Sequence, residues 1–132
     1  MNNNIMHILF YSSWFFIIPC IYAYINKLYI ISVLSLLNTL CSTIVCYNRS
    51  KIHKYDILFA KLSFIIYSLY SFVLIYENPY ILFYSVVCWF SVIHYYFLSF
   101  ISLVYHLDFH IVSIISNLLV IHFCTKSNLI YV

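Results

Sequence analysis

Long apolar tracts dominate this sequence and leave it very few ways to fold. Most of residues 5–25, 28–47, 55–76 and 80–124 are hydrophobic, and only 7% of the 132 residues are charged. A soluble domain of this size needs a polar surface around its core, and this composition does not supply one. About 20 apolar residues in an α-helix cross the hydrocarbon core of a bilayer. The sequence therefore predicts an all-α integral membrane protein, a bundle of transmembrane helices.

About five transmembrane helices in a single domain, residues 1–132, account for these tracts. Asn26 and Lys27 are enough for a tight connection between the first two helices, and Pro19 is expected to kink the first. The hydrophilic segment NRSKIHK, residues 48–54, is predicted to be a loop. The last tract is too long for one helix, and we place its break near residues 99–102. The predicted helices cover residues 5–25, 28–47, 55–76, 80–99 and 103–124.

The positive charges predict the orientation of this multi-pass protein. With five crossings, the N-terminus lies on the same membrane face as the second loop and the start of the fifth helix. That face carries Arg49, Lys51 and Lys54, whereas the other face carries Lys27 and Lys126. Because cytoplasmic loops are enriched in Lys and Arg, the N-terminus is predicted to be cytosolic. The sequence does not indicate which cellular membrane holds the protein.

The charge of the chain limits which classes of partner are expected, and its lack of glycine limits which residues can lie at helix contacts. The net charge of +3 comes from basic residues that form no clustered patch with stacking aromatics, so a nucleic-acid partner is not expected. Membrane lipids are the expected surroundings. The chain contains no glycine, so its helices are predicted to approach one another through Ser, Ala, Cys and Thr.

Polar residues recur along one side of three predicted helices, and the topology brings them to one membrane face. Ser42 and Cys46 lie one turn apart near the end of the second helix, and Asp56 begins the third. His106 and His110 lie one turn apart at the start of the fifth helix. Ionisable side chains are expensive inside a bilayer, so they usually persist where they pair or take part in chemistry. These five residues therefore form the candidate site.

A metal ion is one explanation for the two histidines. Imidazoles at positions i and i+4 can bind one ion, but a stable zinc site needs a third protein ligand. Cys46, His94 and Asp56 are the candidates for that third ligand.

Each polar residue also has a simpler explanation when it is taken alone. Asp56 at the start of a helix can complement the helix dipole without a metal. Ser42 can hydrogen-bond to its own backbone four residues earlier, and Cys46 can be a small apolar packing residue. The five residues together are stronger evidence for a site than any one of them alone, because all five are predicted to lie at the same membrane face.

The order Ser42-x3-Cys46, then Asp56, then His106-x2-Phe109-His110 resembles the CREST superfamily of membrane hydrolases. This superfamily includes the alkaline ceramidases and the adiponectin and progestin receptor family. In its pattern Ser-x3-His closes the second helix, Asp opens the third and His-x3-His starts the last. The resemblance covers three of the five predicted helices. Cys46 stands where the family has its first zinc-binding histidine, and the family usually has seven helices rather than five.

The resemblance implies a zinc-dependent hydrolase of a lipid amide or ester. It implies that Cys46, His106 and His110 hold Zn²⁺, and thiolate is itself a good zinc ligand. It also implies that Ser42 and Asp56 position a water molecule, that Asp56 acts as general base, and that Ser42 helps to stabilise the oxyanion. The alternative is a non-catalytic multi-pass protein, either a degenerate relative without metal or a structural component of an assembly. A transporter or channel is a third possibility, because inward polar stripes also line pathways.

Overall fold

The computed structural model describes residues 3–47 and 49–127, with side chains at all of these positions except 3, 5, 6, 45–47, 49–53 and 103. Within this range the regular structure is entirely helical. The helices are α1 (Asn3–Trp14), α2 (Ile17–Ile25), α3 (Tyr29–Tyr47), α4 (Arg49–Glu77), α5 (Ile81–Leu98) and α6 (Leu103–Lys126). The predicted all-α fold is confirmed.

The helices are long and apolar enough for a multi-pass integral membrane protein. Four segments have the length and composition to cross a bilayer, and α3 contributes a shorter apolar helix, Tyr29–Ile44. Large apolar side chains cover the outside of the bundle; Tyr76, Phe90 and Phe83 are 91%, 73% and 71% exposed. Such a surface is stable against lipid tails and unstable in water. The four segments are His7–Ile25, Lys54–Glu77, Ile81–Leu98 and Val104–Lys126.

The first transmembrane segment is divided into α1 and α2 rather than forming one straight helix. Pro19 has no N–H to donate to the carbonyl of Phe15, and its ring clashes with that carbonyl in a regular helix. Around this point the chain uses tighter i→i−3 bonds, from Phe15 N to Ser12 O (3.2 Å) and from Ile18 N to Phe15 O (3.0 Å). The kink expected from Pro19 is therefore observed as a break in the helix at Phe15, four residues before the proline.

The connection between α2 and α3 is a Schellman turn with a lysine in the left-handed position. Lys27 has φ 63°. The N–H of Leu28 donates to Ala23 O (2.9 Å), and that of Lys27 donates to Tyr24 O (3.0 Å). These two bonds satisfy carbonyls at the end of α2 that would otherwise lack partners. A chain without glycine thus ends this helix with a residue whose Cβ disfavours the required backbone angle.

Replacing Lys27 by Gly is expected to raise the free energy of unfolding by about 1 kcal/mol, because glycine adopts the left-handed conformation without steric strain. Denaturant-induced unfolding in detergent micelles measures the change. Lys27→Ala is the matched control, since it removes the charge and keeps the Cβ. Equal stabilisation by Ala and Gly would show that the charge, and not the backbone angle, is responsible.

The predicted loop at 48–54 is wrong for residues 49–54, because α4 already begins at Arg49. Lys and Arg are good helix formers, and the segment contains neither Gly nor Pro to stop a helix. Its polarity indicates that it lies outside the hydrocarbon, not that it is irregular. Asp56 consequently lies about two turns inside α4 rather than at its start.

The break in the last apolar tract lies where the sequence places it. The chain leaves α5 at Leu98, and α6 begins at Leu103. Ser102 is the N-cap residue of α6, with extended backbone angles and a side chain that accepts a hydrogen bond from Val104 N at 3.3 Å. A serine cap satisfies one of the free N–H groups at a helix start.

The apolar core lies toward one end of the bundle, and buried serines lie both within that end and beyond it. The core cluster joins the α2–α3 turn to the second half of α4, the start of α5 and the end of α6; its members include Leu28, Leu74, Ile81 and Ile121. Serines such as Ser13 and Ser35 are buried as well, and Ser35 hydrogen-bonds to the core residue Tyr67. The prediction that small residues replace glycine at helix contacts is confirmed for these positions. The candidate site lies at the end of the bundle away from this core.

Candidate functional site

Among the described side chains, three hydrogen bonds connect α3 to α4 along their shared face. Each joins a polar residue of α3 to one of α4, and successive bonds lie about one turn apart on α3. The pairs are Ser35 Oγ with Tyr67 Oη (3.1 Å), Asn38 Nδ2 to Ser63 Oγ (2.7 Å) and Ser42 Oγ to Asp56 Oδ1 (2.8 Å). The polar sides predicted for the two helices therefore face each other. The last pair lies closest to the end that carries the histidines.

The structure overturns the simpler explanations for Ser42 and Asp56. The Ser42 hydroxyl donates to the Asp56 carboxylate rather than to its own backbone. A helix dipole acts within the first turn, and α4 has no acidic residue there, since it begins at Arg49. Asp56 is therefore not a dipole-compensating acid. Its carboxylate is a half-buried group held by a buried serine.

His106 and His110 lie side by side on α6. Their ring centroids are 4.6 Å apart. His110 is only 2% exposed, and the edge of its ring packs against Phe16 with a centroid distance of 5.3 Å. Its Nδ1 lies 2.9 Å from Ser12 Oγ. The first transmembrane segment thus holds His110 from one side.

Ser12 is a site residue that the sequence analysis missed. It lies 98 residues before His110 in the chain, and the resemblance to the CREST superfamily assigns nothing to the first helix. The one local signal is the polar pair Ser12-Ser13 within an otherwise apolar stretch of α1. Both serines are buried. A buried polar pair in a membrane helix indicates a contact with another helix, but it does not indicate which one.

A cavity of about 90 Å³ brings four of the five predicted site residues together. Ser42, Asp56, His106 and His110 all line it. Since one water molecule needs about 10–15 Å³ of such space, several waters fit. From these polar residues the lining continues along α4, α5 and α6 to an end where the apolar Leu74, Ile81 and Phe123 lie together with Ser71 and Ser85. The cavity therefore has a polar end and a mainly apolar end, called the apolar end below.

Ser113 adds a polar group to the cavity wall one turn after His110. Among the described residues, its Oγ is the buried side-chain polar atom without a hydrogen-bond partner. Burying an unpaired hydroxyl costs free energy, so such an atom in a cavity wall indicates a water or ligand partner. Asn117, one turn further along α6, also lines the cavity.

The distance between the two histidine rings is close to that of a histidine pair on one metal ion. Two imidazoles on one tetrahedral zinc, with Zn–N bonds of about 2.0–2.1 Å, have ring centres about 5 Å apart, close to the 4.6 Å between His106 and His110. Cys46 lies one turn beyond Ser42 on α3, but its side chain is outside the described ones. Within the described side chains, no three His, Cys, Asp or Glu residues are grouped closely enough to hold an ion. His94 is exposed and does not line the cavity.

Comparison with known proteins identifies no relative. No protein-family model, no curated protein and no solved structure matches this chain. The likeness to the CREST superfamily therefore stays a prediction from the residues that carry it. The chain itself is a helical multi-pass membrane protein in which Ser42, Asp56, His106 and His110 share one cavity.

Proposed function

We propose that this protein is a zinc-dependent integral membrane hydrolase that cleaves a lipid amide or ester, as a ceramidase does. One observation carries the proposal: Asp56, held by Ser42, and the pair His106 and His110 line the same cavity from different helices. Buried ionisable groups that meet in a cavity of a membrane protein are a functional site by default. The proposal also puts the N-terminus and this end of the bundle on the cytosolic side.

In this proposal His106, His110 and Cys46 hold the zinc ion. A zinc ion held there would supply Lewis acidity and would lower the pKa of a bound water to about 7. The two histidines and Ser42 of α3 line the cavity, which as a whole has room for several waters.

Asp56 is the general base in the proposed reaction. Its carboxylate takes a proton from the attacking water and gives it to the leaving amine or alcohol as the carbonyl–heteroatom bond breaks. The hydrogen bond from Ser42 fixes the orientation of that carboxylate.

Ser42 takes a different part from the one that the resemblance implies. A hydroxyl has one proton to donate, and the Ser42 proton goes to Asp56 Oδ1. Ser42 is thus a positioning residue for Asp56 rather than an oxyanion donor. The Ser113 hydroxyl, unpaired among the described residues, is the better placed donor for a polar group of the substrate.

The apolar end of the cavity supports a lipid as the substrate. Leu74, Ile81 and Phe123 line that end, and apolar walls bind an acyl chain by excluding it from water and headgroups. A second cavity of about 240 Å³ shares Ala60, Phe64, Val92 and Phe109 with the first and extends to exposed positions on α4 and α5. We propose that the substrate enters sideways from the bilayer through this second cavity.

The test is hydrolysis of acyl amides and acyl esters by zinc-loaded protein in mixed micelles. Ser42→Ala is expected to lower kcat about 10–100-fold, the usual effect of removing a group that orients a site residue. Ser32→Ala is the matched control, since it breaks a hydrogen bond from α3 to α2, Ser32 Oγ to Cys20 O at 3.0 Å, and neither residue lines the cavity. It is expected to keep wild-type kcat. Folded, zinc-supplied wild-type protein that cleaves none of these lipids would refute the proposal.

A non-catalytic membrane protein is the second candidate. The pairs Ser35–Tyr67 and Asn38–Ser63 favour it, because hydrogen bonds between membrane helices stabilise a bundle by about 0.6 kcal/mol on average without any chemistry. The hydrolysis assay separates the two candidates.

A further inference from the structure

Ser12 connects His110 to the backbone of α1 through a chain of two hydrogen bonds. Ser12 Oγ donates to the carbonyl of Leu9 at 2.9 Å and lies 2.9 Å from His110 Nδ1. Ser12 and His110 are 5% and 2% exposed. Bulk water is therefore kept from both side chains, and the two bonds have little competition.

Counting protons along this chain favours one direction for the second bond. A serine hydroxyl has one proton and can accept through its oxygen lone pairs. Since the Ser12 proton goes to Leu9 O, the proton between Ser12 and His110 belongs to the imidazole. A neutral imidazole with a proton on Nδ1 has none on Nε2, which then carries a lone pair.

The position of the His110 ring determines which groups the Nε2 lone pair can bind. His110 lines the cavity that also contains Asp56 and His106. Its Nδ1 is occupied by Ser12. In metal sites the ring nitrogen that does not bind the ion almost always donates to a fixed partner, which sets the tautomer and the orientation of the ring.

We infer that Ser12 is a positioning residue that holds neutral His110 as its Nδ1–H tautomer and leaves the Nε2 lone pair for a ligand in the cavity. The role as zinc ligand rests on the proposed function, whereas the tautomer is a property of the metal-free protein. The inference makes α1 part of the site, although the pattern Ser42, Cys46, Asp56, His106 and His110 lies wholly on later helices.

The experiment is nitrogen NMR of metal-free protein that carries ¹⁵N-labelled histidine, recorded at a pH where imidazoles are neutral. The His110 signals are assigned by their loss in His110→Gln. Wild-type protein is expected to show a protonated Nδ1 and an unprotonated Nε2. Ser12→Ala is expected to lose this signature, and Ser12→Thr, which keeps the hydroxyl, is expected to restore it.

Ser13→Ala is the matched control. Ser13 is also buried and donates to the same carbonyl, Leu9 O, at 2.9 Å, but it has no hydrogen bond to His110 among the described contacts. It is expected to keep the His110 signature. Zinc affinity, measured by competition with a chelating dye, is expected to fall about 10–100-fold in Ser12→Ala and to stay unchanged in Ser13→Ala.

Two outcomes overturn the inference. The first is a nitrogen NMR spectrum that shows wild-type His110 protonated on Nε2. This result needs only the wild-type protein, so it is decisive even if Ser12→Ala does not fold. The second is an equal loss of the signature in Ser13→Ala, because α1 packing would then be the cause. Folded protein that has the Nδ1–H tautomer of His110 but hydrolyses no lipid supports the inference and refutes the proposed hydrolase. Protein that hydrolyses lipid but has the Nε2–H tautomer supports the hydrolase and refutes the inference.

Discussion

Replacing Asp56 by Asn is expected to lower kcat for the proposed lipid amide hydrolysis by about 10²–10⁴-fold, the range that a positioned general base contributes. The asparagine side chain has nearly the same shape, and its carbonyl oxygen can still accept the hydrogen bond that Ser42 donates in the wild-type protein. The helices are therefore expected to pack as before. The amide cannot take a proton from water, so the loss falls on kcat while KM changes little. Steady-state kinetics in mixed micelles measure both constants.

Asp108→Asn is the matched control for this prediction. Asp108 is half-buried on α6 between the two histidines in sequence, but it does not line the cavity. Its replacement removes the same charge from the same end of the bundle and is expected to leave kcat unchanged. Wild-type kcat in folded Asp56→Asn would remove Asp56 from the mechanism. Equal losses in the two variants would indicate a general effect of charge.

Detergent-purified wild-type protein is expected to contain close to one zinc ion per chain, and His106→Ala, His110→Ala and Cys46→Ala are each expected to lose it. Removal of a group beside a ligand costs about 10–100-fold in affinity, and removal of a ligand itself is expected to cost more. Two imidazoles alone do not complete a protein zinc site. Elemental analysis after dialysis measures the zinc content.

Cys41→Ala and His122→Ala are the controls for zinc content. Cys41 lies on α3 before Ser42, His122 is exposed near the end of α6, and neither lines the cavity. Both variants are expected to keep the metal. Zinc that persists in Cys46→Ala would move the third ligand elsewhere, with Asp56 as the next candidate. Folded wild-type protein without zinc would favour the non-catalytic alternative.

Local sequence predicted Ser42 and Asp56 as site residues but did not predict their relation. Asp56 is expected at a helix start, where the dipole explains a carboxylate, yet α4 begins seven residues earlier at Arg49. Where a polar helix turn ends and a loop begins depends on small differences in propensity, because Lys and Arg suit both. Only the packing of α3 on α4 shows that Ser42 donates to Asp56.

The sequence by itself determined the environment and the helical fold. Hydropathy adds up along the chain, and a backbone in lipid must satisfy its own hydrogen bonds, so apolar tracts of this length become helices whatever their neighbours are. The i, i+4 spacing of His106 and His110 likewise places the two rings together from local geometry alone.

The tertiary structure decided which helices supply the partners. Ser12 reaches His110 across 98 residues of sequence, and the cavity forms where α3, α4, α5 and α6 meet, with Phe16 before α2 also in its lining. Apolar faces pack against one another with little preference, since lipid tails are as apolar as the helices themselves. The choice of neighbour therefore depends on shape and on a few buried hydrogen bonds between distant residues, which no local pattern contains.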